Sequence, residues 1–219
     1  MPGKVAVVHA TLNALQAMKK HQGKLGAVSL VHLLDEGILK DLIVKGTATP
    51  DLVYRFCRLV VAAADSSPDL ILTTCSSFSN YVEVAQTMVQ PPVLTPDGAM
   101  LEKIINRGWT QVMAVATMAS AVQPALLQLD KIAQRAGKAV TVQSLVVPGA
   151  YEAAQAGDMG LHDRLILERT AQIRGVDVIM LCQFTMAHLE AEVQVASGIN
   201  TISSLIAAME KVRQLLAAK

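Results

Sequence analysis

The chain has 219 residues, 52% of them hydrophobic and 17% charged, with a formal net charge of +1. This composition supports a sizeable core and excludes wholesale disorder. With aromatics at 3% and no basic stripe, nucleic acid is not an expected partner.

In chain order, strand-like and helix-like runs alternate. KVAVVHA is short and Val-rich, as a strand buried on both faces should be. TLNALQAMKKHQGKL has helical spacing, and AVSLVHLL reads as the next strand. TPDLVYRFCRLVVAAADSS predicts a helix, with Thr49 or Asp51 near its start and Pro50 at a tolerated first-turn position. DLILTTC is a strand, FSNYVEVAQTMVQ a helix stopped by Pro91 and Pro92, and PVLTP a short strand. The order then restarts. Residues 111–147 read strand, helix, strand; DMGLHDRLILERTAQIRG is a helix, VDVIMLC a strand, MAHLEAEVQVASG a helix and INTIS the last strand. No apolar run has membrane length, since Asp65, Ser66, Ser67, Pro68 and Asp69 break the longest. The N-terminus enters a strand without signal-peptide regions, so a cytoplasmic location with no membrane partner is expected.

The two halves superpose at one offset of 107 (182 − 75): Val5 on Val112, Asp51 on Asp158, Cys75 on Cys182, Thr95 against Ile202. The expected fold class is α/β, with two pseudo-symmetric Rossmann-like lobes. Each lobe is a mainly parallel sheet flanked by helices, with a cleft between the lobes. Residues 1–95 and 205–219 form the lobe carrying Cys75, and residues 96–204 the lobe carrying Cys182. The last helix, Ser203 to Lys219, is expected to pack back on the first lobe.

Both thiols are then expected at the carboxyl end of a parallel strand, the edge where open α/β sheets bind ligands. A helix start there would lower a thiol's pKa. One thiolate could remove a proton from the carbon beside a carboxylate while the opposite thiol supplies one to the other face, inverting a stereocentre. Ser76 and Ser77 offer hydroxyls to that carboxylate. Thr11 and Thr117 each follow the first strand of a lobe, as substrate donors or as helix caps. His9 and Asn13 lie near the same edge. Cys57, inside a helical pattern, reads as core. Three cysteines without a CxxC pair do not suit a disulfide scaffold, and the five histidines show no ligand spacing with them, so no metal site is expected. No cofactor is expected either.

TTCSS (Thr73–Ser77) and IMLCQFT (Ile179–Thr185) resemble motifs of the aspartate/glutamate/hydantoin racemase superfamily, over essentially the whole chain. The resemblance implies two-base catalysis by Cys75 and Cys182, with substrate held by Ser76, Ser77 and Thr117. Thr11, Gln183 and Asn13 complete the expected binding set. Where that superfamily's amino-acid racemases carry a glycine before the second cysteine, this chain has Leu181, and Gln183 and Phe184 follow. The scaffold thus points to a racemase or epimerase of a small carboxylate or hydantoin-like compound, and away from free aspartate or glutamate. The alternatives are a maleate-type cis-trans isomerase with a nucleophilic cysteine, and a small-anion binding protein without chemistry. The retained pair of thiols argues against the superfamily's decarboxylases, and a homo-oligomer stays open.

Overall fold

The computed structural model describes residues 3–218. In chain order the elements are β1 (Gly3–His9), α1 (Leu12–His21), β2 (Val28–Leu34), α2 (Glu36–Lys45), α3 (Pro50–Ala64), β3 (Leu70–Thr73), α4 (Val82–Gln86), β4 (Val93–Leu94), α5 (Gly98–Arg107), β5 (Gln111–Ala116), α6 (Ala119–Arg135), β6 (Thr141–Val146), α7 (Ala150–Gln155), α8 (Met159–Thr170), β7 (Val178–Leu181), α9 (Glu190–Ser197), β8 (Asn200–Ser203) and α10 (Ser204–Ala217). All eight strands lie in two parallel sheets of identical topology, ordered β2-β1-β3-β4 and β6-β5-β7-β8. Among the described residues, no helix is long and apolar enough to cross a membrane.

The chain divides into two compact units, Met1–Pro96 with Ala208–Lys219, and Asp97–Ala207. In the first, Ala6, Val8 and Ile71 meet Leu52, Phe56, Cys57, Val60 and Ala63 of α3. In the second, Val112, Ala114, Val178 and Met180 face α5 and α6, while Val115, Ile179 and Leu181 pack on Ile166 of α8 and Val193 of α9. The central strands are therefore buried on both faces, which their unbroken Val/Ile/Leu runs announce. Each such side chain contributes about 1.5–3 kcal/mol by leaving water. The end of α10 lies against the start of β1, where a Cβ on Gly3 would stand 2.8 Å from a methyl of Leu216.

Three helices escaped the sequence reading. In α2, Asp35 caps the Gly37 N–H and Gly46 closes the helix in the left-handed region, with φ of 70°. The others are α5, which ends on Gly108 in the same way, and the short α7. The long helix expected after Cys75 is instead a 3-10 turn, Ser76–Tyr81, followed by the five-residue α4. The matching turn after Cys182, Phe184–Leu189, leads into α9.

Candidate active site

In each sheet the strand order reverses between the first and third strands, β1/β3 and β5/β7. Crevices for ligands open beyond the carboxyl ends of such strand pairs. In the first unit this edge holds His9, Ala10, Thr74 and Cys75. In the second it holds Ala116, Thr117, Cys182 and Gln183.

The first edge is built on a directed chain of hydrogen bonds. The Thr74 hydroxyl donates to the Val8 carbonyl at 3.3 Å, so His9 Nδ1, 3.0 Å from the Thr74 Oγ1, must be the donor there. His9 Nε2 is then an acceptor and takes the hydrogen of His32 Nδ1 at 2.9 Å. This tautomer requires a neutral His9. The ring is 1% exposed, and burial, aided by His32 and Lys19, lowers its pKa to about 3. His32 is lowered for the same reasons, burial first and then Lys19. The chain thus joins β1, β2 and β3 beside the candidate thiol. Cys75 is half-buried, at the residue preceding the 3-10 turn. It also lines a cavity of about 10 Å³ shared with Val8, Ile38, Phe56 and Phe78, room for no more than one water. Ser76 and Ser77 follow it, both half-buried.

The second edge carries different chemistry. The Oε1 of Gln183 accepts from Thr117 N at 2.6 Å and from the Thr117 hydroxyl at 3.0 Å, which joins the ends of β5 and β7. With Oε1 committed, the amide of Gln183 presents its N–H donors to other partners. Cys182 is 0% exposed and packs in the core beside Val112, Ala114 and Met180. Its thiol donates to the Met180 carbonyl at 3.7 Å. Burial, together with the nearby charge of Asp97, pushes its pKa far above the ordinary thiol range.

Two expectations for the thiols fail here. Neither cysteine opens a long α-helix, and the pKa of Cys182 is shifted up rather than down. Nor are the two cysteines equivalent. Asp69 opens β3 by accepting from Lys4 N at 2.8 Å, and Asp177 opens β7 by accepting from Gln111 N at 2.8 Å. Val8 pairs with Thr73 and Val115 with Leu181. The last rung is Thr74 N to Val8 O in one sheet and Cys182 N to Val115 O in the other. The following 3-10 turn is preceded by Cys75 in one unit and by Gln183 in the other. The counterpart of Cys75 is therefore Gln183, at an offset of 108 (183 − 75), and the counterpart of Cys182 is Thr74. Side chains alternate faces along a strand, so a one-residue slip sends the second thiol to the opposite face. Thr95 accordingly matches Ser203 rather than Ile202. Asp51 and Asp158 also part company, since Asp158 caps α8 while Asp51 lies inside the first turn of α3.

The remaining expected site residues divide. Thr11 is the cap of α1, accepting from Ala14 N at 3.2 Å, whereas Thr117 lies one residue before its helix cap and serves Gln183. Asn13 is exposed on α1. Cys57 is buried in the α3 core, and burial raises its pKa. The sequence reading missed the His9–His32–Thr74 chain because it depends on which residues parallel strands set side by side. It also missed a cluster formed by His162, Asp163 and His188, which the fold gathers from α8 and the turn after Cys182.

No family model matches the chain, and no curated protein matches its sequence. Solved structures do match its fold. The allantoin racemase of Klebsiella pneumoniae is 15% identical with a TM-score of 0.71, the match covering 99% of this chain and 88% of that one. The fold is shared with racemases. The aspartate racemase of Picrophilus torridus, 13% identical, gives 0.71 over 97% of this chain and 94% of its own. A maleate cis-trans isomerase of Nocardia farcinica, a cysteine-to-serine mutant with a covalently bound succinylcysteine intermediate, is 15% identical and gives 0.62 over 99% and 94%. At these identities the likeness establishes the two-sheet α/β fold.

Proposed function

We propose that the protein is a cofactor-independent isomerase of small carboxylates that works through a single thiol, Cys75. The observation that carries this reading is the unequal setting of the two edges: Cys75 is half-buried at its edge, its counterpart is Gln183, and Cys182 is sealed in a core. Inversion by two bases needs two thiols that can each reach the substrate, and Cys182 is 0% exposed. One thiol suffices for reversible addition to an unsaturated dicarboxylate. The Cys75 thiolate bonds to one alkene carbon, and the electron pair moves onto its neighbour beside a carboxylate. The new C–C single bond rotates, and expulsion of the thiolate restores the double bond in the other geometry. Ser76 and Ser77, next along the chain, supply hydroxyls for a carboxylate. The likeness to an isomerase structure that holds a succinylcysteine supports the same chemistry here. Incubation with maleate followed by intact-protein mass spectrometry tests it. A reversible succinyl-sized adduct on Cys75, with fumarate formed, is expected. Turnover that survives Cys75→Ala would sink the reading.

A second reading is a racemase or epimerase in which Cys75 and Cys182 exchange protons with the carbon beside a carbonyl. It is favoured by the higher TM-scores of the allantoin and aspartate racemases. In deuterated water, candidate hydantoins and 2-substituted acids would then gain α-deuterium, and Cys182→Ala would abolish the exchange.

A further inference from the structure

The second unit holds a cluster that the isomerase chemistry does not use. Asp163 Oδ1 lies 2.7 Å from His162 Nδ1 and 2.9 Å from His188 Nε2. One ligand atom from each of the three residues lies within 4.8 Å of the others. The bonding of His188 is the informative part. Its Nδ1 is 3.0 Å from the Thr185 carbonyl, which can only accept, so Nδ1 carries a hydrogen. Its Nε2 then meets a carboxylate, which also only accepts. With Nδ1 committed to the carbonyl, Nε2 is the ring nitrogen aimed at the carboxylate.

The surroundings match a metal ligand set. A ligating histidine typically donates its other ring N–H to a backbone carbonyl, which fixes the tautomer and aims the free nitrogen. Two imidazoles and one carboxylate form a nitrogen–oxygen set suited to zinc, and three protein ligands leave a fourth position for water. His162 is 3% exposed and anchors the site from within. The side chains of Asp163 and His188 are 29% and 24% exposed, which leaves an entry path. Bonds of about 2.0–2.1 Å set tetrahedral ligands roughly 3.3 Å apart, so the carboxylate oxygen need retreat by only about half an ångström from each nitrogen.

We infer that His162, Asp163 and His188 form a binding site for a divalent metal ion of the zinc class, with one coordination position open to water. The ion would clamp α8 to the turn that follows Cys182. The test uses the full chain freed of metal with a chelator. Zn²⁺ titrated calorimetrically should bind with one-to-one stoichiometry. Co²⁺ should give the visible absorption of a tetrahedral nitrogen–oxygen site without a sulfur charge-transfer band. Asp163→Asn and His188→Gln, both at partly exposed positions, should each weaken Zn²⁺ binding about a hundredfold. His162→Gln should do the same, and if that variant unfolds, the other two carry the test. No binding at about 10 μM Zn²⁺ would overturn the site. Binding unchanged in these variants but lost in Cys75→Ser would also overturn it, by placing the ion on a thiol.

Discussion

The two switch points share one topology and differ in almost every polar atom. In the first unit, a neutral His9 feeds a hydrogen-bond chain into Thr74 and leaves Cys75 half-buried at the edge. In the second, Thr117 holds Gln183 at the matching place, and Cys182 is turned into an apolar core. Parallel pairing determines where an edge residue stands. Its depth and protonation depend on which face of the strand it takes and on what covers that face. The same residue type, one position apart on the ladder, becomes a half-buried thiol at the edge in one unit and a core filler in the other.

The largest effect expected from this contrast is on turnover. Cys75→Ala should lower kcat about a thousandfold or more, whereas Cys182→Ala should leave it within about threefold and cost about 1–2 kcal/mol in urea unfolding through the cavity it opens. Equal losses in the two variants would erase the distinction. Thiol reactivity gives the next effect. In native protein at neutral pH, iodoacetamide should label Cys75 at least about a hundredfold faster than Cys57 or Cys182, because reaction needs an accessible thiolate and burial suppresses it. Peptide mass spectrometry reads the ratio, and rapid labelling of Cys182 would return it to the site.

A third effect separates the edges by pH. The pKa of His9 is about 3 in the folded chain, against an ordinary value of 6.5. Between these values the unfolded chain binds a proton that the folded chain does not. His9 therefore imposes no penalty above about pH 6.5, and stability falls as pH drops towards 3. Between pH 6.5 and pH 5 the loss should be about 2 kcal/mol. His9→Gln should flatten that slope in urea titrations at the two pH values, while Gln183→Leu should leave it unchanged. The smallest effect concerns the second edge. A double-mutant cycle of Thr117→Val and Gln183→Leu should give a coupling energy of about 1 kcal/mol. A value near zero would mean that the pair does not hold the edge together.

Much of this architecture was legible in the amino-acid sequence. The apolar runs at Val5–Val8 and Ile71–Leu72 have the length and β-branching of buried strands, and the repeated element order foretold two lobes. The site was harder to read, because the halves were aligned on their thiols. Counting from the strand-opening aspartates would have exposed the slip. Five residues separate Asp69 from Cys75, and four separate Asp177 from Cys182. A period of two turns that single missing residue into a change of face. The partners of His9, His32 and His188 were out of reach because they depend on strand register and helix docking. The helices α2 and α5 were missed although Gly46 and Gly108, which end them in the left-handed region, are ordinary helix stop signals.

The way the chain is shared between the units bears on its synthesis. Asp97–Ala207 is one unbroken stretch, whereas the unit carrying Cys75 lacks its final helical segment until Ala208 and the residues after it are made. Gly3, made early, waits for Leu216, made after the whole of the other unit. Domains tend to fold as units as they emerge, beginning from the N-terminus. Here the later-encoded unit has all its residues first. The unit with the candidate thiol is closed only once the residues from Ala208 onward emerge, so a ribosome stalled before Ala208 would carry a finished Cys182 core and an unsealed Cys75 sheet.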